Sequence, residues 1–144
     1  MPVRKEALSA IPSASYLLDT HILIWAAGQP EKLSKRVIDI LINDNNRFFF
    51  SPASLQEISI KTALNKPDFN IDARALAKGL QEAGYLELPL YARHACDLAN
   101  LPAMHKDPFD RLLVAQAKAE AISFITNDEK IINGCAGYVE IVSC

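Results

Sequence analysis

Residues 16–25 read YLLDTHILIW, an apolar run that is interrupted by Asp19, Thr20 and His21. The continuous apolar residues 16–18 predict a buried strand. Residues 20–28 then predict a helix, with Thr20 as its candidate N-cap and Gly28 near its end. Asp19 would therefore stand where a buried strand ends, and an ionised carboxylate buried there without a partner costs several kcal/mol. The rest of the chain must supply whatever compensates this charge.

Short apolar runs and helical patterns alternate through the remaining sequence. Further strands are predicted at 47–51, 85–89, 122–128 and 138–142, and helices at 34–44, 51–64, 72–84, 91–101 and 107–120, with a helical turn at 128–133. The helix starts are marked by Ser51 followed by Pro52 and by Asp107 followed by Pro108. This alternation is typical of βαβ units, so the sequence predicts an α/β protein with a parallel sheet.

Length and composition suit one compact domain. The chain has 144 residues, of which half are hydrophobic, and a net charge of −2. We expect a flexible leader at 1–14 and a single domain at 15–144. No apolar run approaches the roughly 20 residues of a bilayer span, and the odd number of cysteines without a CxxC pair indicates reduced thiols. These features predict a cytoplasmic protein. The slightly negative net charge does not by itself indicate binding to a polyanion.

Four acids fall at or near the ends of predicted strands. Asp19 and Asp128 follow strands directly, Glu57 lies about two turns into the helix after residues 47–51, and Asp110 lies in the first turn of its helix. Each has an ordinary alternative: a helix cap for Asp19, a pair with Lys61 for Glu57, and a favourable first-turn charge for the other two. Ligands bind at the carboxyl ends of parallel strands. Together, these acids predict an acidic pocket whose hard oxygen ligands suit Mg²⁺ or Mn²⁺.

Four segments resemble the PIN-domain ribonucleases, and most closely the VapC-type toxins of toxin–antitoxin pairs. The segments are LLDTHILIWAA…EKLS, SPASLQEISIK, LPAMHKDPFDRLLVAQAKAE and FITNDEKI, and the similarity extends from about Tyr16 to Val142. The resemblance implies a three-layer α/β/α sandwich with a central parallel sheet. It also implies a Mg²⁺- or Mn²⁺-dependent endoribonuclease. Its catalytic, metal-binding acids fall on Asp19, Glu57, Asp110 and Asp128. One departure is Gln56, where the family often has Trp.

The resemblance also implies supporting residues and partners. Thr20 and Thr126 resemble small polar residues that bond the acids, although Thr126 has the alternative of capping a turn. Candidate contacts to RNA phosphate are Lys61, Arg93, His105, Lys106 and Arg111, each of which has the alternative of a solvated charge. The implied partners are an RNA substrate, a cognate VapB-like antitoxin and a second copy of the chain in a homodimer. A higher toxin–antitoxin assembly would extend the same contacts.

Other functions fit the sequence less well than the ribonuclease does. A metal-independent ribonuclease would use a pair among His21, His94 and His105, but His21 is expected to pack in the first helix and His94 to lie on a polar helix face. A receiver domain needs an acceptor Asp at the end of a central strand, which RFFFSP lacks, and a dehalogenase-like phosphatase needs Asp-x-Asp after the first strand. A catalytically silent PIN-like module that binds RNA or protein remains the main alternative.

Overall fold

The computed structural model describes residues 14–103 and 106–144. Its strands are β1 (Ser15–Leu18), β2 (Arg47–Phe50), β3 (Leu86–Glu87), β4 (Ser123–Thr126) and β5 (Ile141–Ser143). Its α-helices are α1 (Thr20–Gly28), α2 (Lys35–Leu41), α3 (Pro52–Ala63), α4 (Ala73–Glu82), α5 (Ala92–Cys96), α6 (Pro108–Glu120) and α7 (Glu129–Cys135). Short 3-10 helices occur at Pro30–Lys32 and Asp97–Asn100. The predicted alternation of strands and helices is confirmed.

The five strands form one parallel sheet in the order β3-β2-β1-β4-β5. The central strand β1 aligns Leu17 with Phe49 on one side and with Phe124 on the other. All strands therefore end at the same edge, and the loops after β1, β2 and β4 lead into helices α1, α3 and α7. This edge carries the site described below.

Helices cover both faces of the sheet, which confirms the three-layer α/β/α sandwich. Leu17 and Leu18 are both fully buried, but they pack in different hydrophobic clusters because successive strand residues point to opposite faces. The cluster around Leu18 includes side chains of α1–α4, whereas the cluster around Leu17 includes side chains of α6 and α7. The continuous apolar sequence of β1 is explained by this burial on both sides.

Several helix boundaries differ from the sequence-based expectation. The N-cap of α1 is Asp19 rather than Thr20, because the Asp19 side chain accepts the Thr20 amide. The predicted helix at 91–101 is divided into α5 and a 3-10 helix, and the predicted turn at 128–133 is a seven-residue helix, α7. Ser51 and Asp107 cap α3 and α6 as expected, with Pro at the start of each helix.

Residues 1–13 of the expected leader lie outside the described residues, and residue 14 is the first that the structure describes. The carbonyl of Ala14 accepts a hydrogen bond from the Arg47 amide, so the described chain joins the sheet at its first residue. None of the helices in the described part of the chain combines the length and the apolar character that a bilayer span requires.

Truncating Phe50 in β2 should destabilise the protein strongly, because this side chain is fully buried under the helices. We expect Phe50→Ala to lower the free energy of unfolding by about 3–5 kcal/mol. Ile42→Ala is the control, since Ile42 is 70% exposed, and it should change stability by less than about 0.5 kcal/mol. Urea unfolding followed by circular dichroism measures both. Equal effects of the two variants would contradict the described core.

Candidate acidic site at the sheet edge

A cavity of about 500 Å³ opens at the carboxyl edge of the sheet. All four acids predicted from the sequence line it: Asp19 as the N-cap of α1, Glu57 within α3, Asp110 in the first turn of α6 and Asp128 as the N-cap of α7. The four residues are brought together by the parallel topology, because separate strands and helices deliver them to one edge. The further lining residues are Thr20, His21, Lys61, Asp107, Asn127, Glu129 and Lys130.

Asp19 is buried and is held by hydrogen bonds to both carboxylate oxygens. Its Oδ1 accepts the Thr20 amide at 2.7 Å, and its Oδ2 accepts the Thr126 hydroxyl at 2.6 Å. The backbone amide of Asp19 donates to the carbonyl of Ile125 at 2.9 Å. Strands β1 and β4 are therefore joined at their ends through this residue, which fixes the direction of its carboxylate.

Thr126 connects Asp19 with Asp128. While its hydroxyl donates to Asp19, the same oxygen accepts the Asp128 amide at 3.0 Å. Asp128 then caps α7, since its Oδ1 accepts the amides of Lys130 and Ile131 at 2.8 and 3.3 Å. Both interpretations of Thr126 are therefore satisfied: it bonds an acid and it organises the turn.

Glu57 is buried and both of its carboxylate oxygens accept hydrogen bonds. The Thr20 hydroxyl donates to Oε1 at 2.7 Å, and the Lys61 ammonium donates to Oε2 at 2.6 Å. Ser54, which lies one turn earlier on α3 and is fully buried, has its hydroxyl 3.0 Å from that of Thr20. The i,i+4 pair between Glu57 and Lys61 that the spacing allowed is therefore present.

Asp110 is the carboxyl most strongly affected by its surroundings. Burial, together with the negative charges of Asp19, Asp107, Glu57 and Asp128, raises its pKa to about 8. Asp107 lies three residues earlier and caps α6, accepting the amides of Phe109 and Asp110 at 2.9 and 3.2 Å. The structure confirms Asp107 as a helix cap and places it in the lining of the cavity.

The pKa of Asp19 is also raised, to about 6, and the cause is again mainly burial. The hydrogen bonds from Thr126 and Thr20 lower this pKa, whereas the charges of Glu57 and Asp128 raise it. Burial lowers the pKa of Lys61. The hydrogen bond and charge of Glu57, together with the charges of Asp107 and Asp110, outweigh this effect, so the pKa of Lys61 lies above its ordinary value. The site therefore favours added positive charge.

The chemistry of the lining residues fits a hard divalent cation. Six carboxyl groups and two ammonium groups line the cavity, and carboxylate oxygens are the ligands that Mg²⁺ and Mn²⁺ prefer. Within residues 14–103 and 106–144, however, no three His, Cys, Asp or Glu side chains stand together in an arrangement ready to coordinate a metal ion. A hard cation such as Mg²⁺ is commonly held by one or two carboxylates together with water molecules.

The candidate RNA contacts are divided between two regions. Lys61 lines the cavity, whereas Arg93 pairs with Glu120 and lies over the Tyr91 ring at 4.9 Å. The Arg111 guanidinium donates to the carbonyl of Leu98 at 3.0 Å. Lys106 is exposed. His105 lies outside the described residues, so its role stays a prediction.

His94 was expected on a polar helix face, and this expectation is wrong. The side chain is fully buried: its Nδ1 accepts the Tyr91 amide at 2.9 Å, and its Nε2 lies 2.8 Å from Glu120. Only one of the two histidines within the described part of the chain, His21, lines the acidic cavity. Its ring packs edge-on against Phe69, at 5.4 Å between centroids. The described residues therefore provide no paired histidines for acid–base catalysis.

Sequence reasoning missed Ser54, Asn127, Glu129 and Lys130 as parts of the site. Ser54 and Glu57 share one face of a helix because they are three residues apart, so the helical spacing contained that signal. Asn127, Glu129 and Lys130 flank Asp128 in the chain. Their place in the lining follows from the turn between β4 and α7, which sequence spacing alone does not define.

The raised pKa of Asp110 predicts a specific pH dependence of stability in metal-free solution. A carboxyl whose folded-state pKa is raised binds its proton more tightly in the folded state. Stability is therefore highest below the unfolded-state pKa of about 4 and falls as the pH rises to about 8.

Asp110→Asn should remove this contribution and raise the free energy of unfolding at pH 8 on the order of 1–3 kcal/mol, with a smaller gain at pH 5. Urea unfolding in chelator at both pH values measures the difference. The same pH dependence of stability in wild type and variant would show that the pKa of Asp110 is not raised in the folded protein.

Comparison with known proteins places this fold in a family. The family model of the PIN domain matches residues 16–135. No curated protein sequence matches the chain. Among solved structures, VapBC2 from Rickettsia felis, bound to a promoter DNA fragment, is similar with a TM-score of 0.63 and 18% identity, over 90% of this chain and 98% of that chain. DNA-bound VapBC from Salmonella typhimurium has a TM-score of 0.63 and 16% identity, over 90% and 98%.

FitAcB from Neisseria gonorrhoeae is similar as well, with a TM-score of 0.58 and 20% identity, over 89% of this chain and 96% of that chain. At these identities the likeness shows that the fold is shared. Since the family model covers most of the sequence, including the four acids predicted from the sequence, the chain belongs to the PIN domain family.

Proposed function

We propose that this protein is a metal-dependent endoribonuclease, and that it is the toxin of a toxin–antitoxin pair. The observation that carries the proposal is the convergence of Asp19, Glu57, Asp110 and Asp128 on one cavity. These acids are separated by up to 109 positions in the chain. Their burial at one site raises the pKa of Asp19 to about 6 and that of Asp110 to about 8. The proposed nuclease domain comprises residues 15–144.

The proposed reaction is hydrolysis of an RNA phosphodiester bond. A bound Mg²⁺ or Mn²⁺ would neutralise the clustered carboxylates, polarise the phosphate and lower the pKa of a water molecule. Asp19, Asp110, Asp128 and Glu57 are the residues that would hold it. The oxygen of water would attack phosphorus and pass a proton to Glu57 or Asp19, the bond between phosphorus and the 3′-oxygen would break, and the leaving 3′-oxygen would take a proton from solvent. The products are a 5′-phosphate and a 3′-hydroxyl.

The other residues around the cavity position these acids. Thr126 and the Thr20 amide fix the carboxylate of Asp19, and the Thr20 hydroxyl fixes Glu57. Such locking holds catalytic groups in the geometry of the reaction before the substrate binds. Among the candidate RNA contacts, Lys61, in the cavity, and Lys106, exposed one residue before Asp107, have positions that favour contact with the RNA backbone.

The proposed biological role rests on the shared fold. The similar structures are described as VapBC and FitAcB, and the VapBC-5 structure from Mycobacterium tuberculosis is described as a toxin–antitoxin system. We propose a cognate VapB-like antitoxin, homodimerisation and action on cytoplasmic RNA. An arginine from the antitoxin would suit the acidic cavity, because guanidinium and carboxylate groups pair through two hydrogen bonds.

Purified protein should cleave RNA in Mn²⁺, and Asp110→Asn should reduce the cleavage rate by about 100-fold or more, because it removes a buried carboxylate from the proposed metal site. Gel analysis of labelled single-stranded RNA measures the rate, with chelator as the metal-free control. Gln56→Ala is the matched protein control, since Gln56 is an exposed neighbour of Glu57, and it should leave the rate within about threefold.

Two results would contradict the proposal. Cleavage that persists in both chelator and Asp110→Asn would indicate a metal-free mechanism or a contaminating nuclease. An absence of cleavage on transfer RNA, ribosomal RNA and messenger RNA, in a folded protein, would favour the silent binding module.

Expression without an antitoxin should arrest bacterial growth, and Asp19→Ala should relieve the arrest, because the variant loses the carboxylate that Thr126 orients. Growth curves after induction measure the effect, with immunoblots to confirm equal protein levels. Growth arrest by the variant equal to that by wild type would contradict the assignment of this site to toxicity.

A further inference from the structure

The ammonium group of Lys61 lies inside the acidic cavity and contacts Glu57 directly. Its Nζ is 2.6 Å from Glu57 Oε2 and 3.9 Å from Asp107 Oδ2. It also lies 5.1 Å from the centroid of the Phe69 ring, whose face attracts cations. Three separate parts of the chain therefore surround the positive charge of Lys61. The proposed function requires a second positive charge, that of a metal ion, at the same site.

This contact differs from an ordinary surface ion pair. Lys35 and Asp39 form an i,i+4 pair with the same spacing and an N–O distance of 2.8 Å, but their side chains are 87% and 54% exposed. The side chains of Lys61 and Glu57 are 27% and 5% exposed. Partial burial reduces screening by solvent, so the Coulombic attraction between Glu57 and Lys61 is the stronger of the two.

The contact also occupies Glu57 as a ligand. Oε1 accepts the Thr20 hydroxyl and Oε2 accepts the Lys61 ammonium, so both oxygens already have partners. This occupation is consistent with the absence, among the described residues, of three acids arranged to coordinate an ion. A divalent cation that uses Oε2 would share this oxygen with the Lys61 ammonium, 2.6 Å away, and the two positive charges would repel each other.

We propose that the Lys61 ammonium takes the place of a cation at Glu57 and competes with a divalent metal ion for this carboxylate. The proposal rests on the proposed metal-dependent function and names a regulating residue within the same site. Lys61 keeps the metal-free cavity folded by neutralising Glu57, and it thereby lowers the affinity of the site for the ion. The positive charges of the metal ion and the Lys61 ammonium oppose each other at Oε2.

The test is Mn²⁺ binding, measured by electron paramagnetic resonance of free Mn²⁺ and by isothermal titration calorimetry. Lys61→Met keeps the length of the side chain and removes its charge, so it should bind Mn²⁺ about tenfold more tightly than wild type, since an interaction of about 1.4 kcal/mol corresponds to that factor. In a Glu57→Gln background, the same substitution should change the affinity by less than about twofold, because the contested carboxylate is gone.

Two controls separate this competition from general electrostatics and from misfolding. Lys130→Met removes a positive charge from the lining of the same cavity and should tighten Mn²⁺ binding by less than about twofold, because Lys130 is exposed and well screened. Lys61→Arg retains the charge and should bind like wild type. Circular dichroism and thermal unfolding establish that each variant is folded.

Equal affinity of wild type and Lys61→Met would overturn the competition while leaving the metal site intact. Weaker binding by Lys61→Met would also overturn it, because Lys61 would then orient Glu57 for the ion. If Lys61→Met and Lys130→Met tighten Mn²⁺ binding equally, the proposal is overturned, because the gain in affinity then comes from the change in net charge alone. An absence of Mn²⁺ binding in both wild type and Lys61→Met would overturn the metal-dependent function as well.

Discussion

The burial of neighbouring carboxyl groups is the constraint on which the functional edge of this protein depends. Six carboxyl groups share a cavity of about 500 Å³ with two ammonium groups. Hydrogen bonds from Thr126 and Thr20 partly stabilise the charge of Asp19, but burial still raises its pKa to about 6. Asp110, which burial and four neighbouring acids affect together, has its pKa raised to about 8. Ionised carboxyl groups that are buried in such a cluster lower the stability of the folded protein at neutral pH. A cation bound among them would raise the stability again.

The parallel sheet makes this arrangement possible because it brings distant segments to one edge. Strands β1 and β4 end side by side, and the acids that follow them, Asp19 and Asp128, are linked through one threonine hydroxyl. Glu57 reaches the same place from α3 through its bond to Thr20, 37 positions earlier in the chain. The apolar runs on either side of these polar residues pack against helices on both faces, so the sheet holds the polar edge rigidly.

Much of this organisation was predictable from the sequence. The buried strand at 16–18, the capped helices after Ser51 and Asp107, and the four acids at one edge all follow from local patterns combined with the rule for parallel sheets. Long-range contacts were less accessible. The bond from Thr20 to Glu57 depends on how α1 packs against α3, and the burial of His94 depends on the contact of α5 with α6. The spacing of Glu57 and Lys61 predicted their pair, but its partial burial and the nearby Asp107 required the fold.

The most direct test of the account is a crystal structure of the protein grown with Mn²⁺, analysed by anomalous scattering. We expect an anomalous peak in the cavity, within about 2.0–2.4 Å of carboxylate oxygens that include Asp19 or Asp110. A folded protein whose cavity shows no such peak at saturating Mn²⁺, or a peak bound only elsewhere on the surface, would contradict the central claim that these acids meet around a cation.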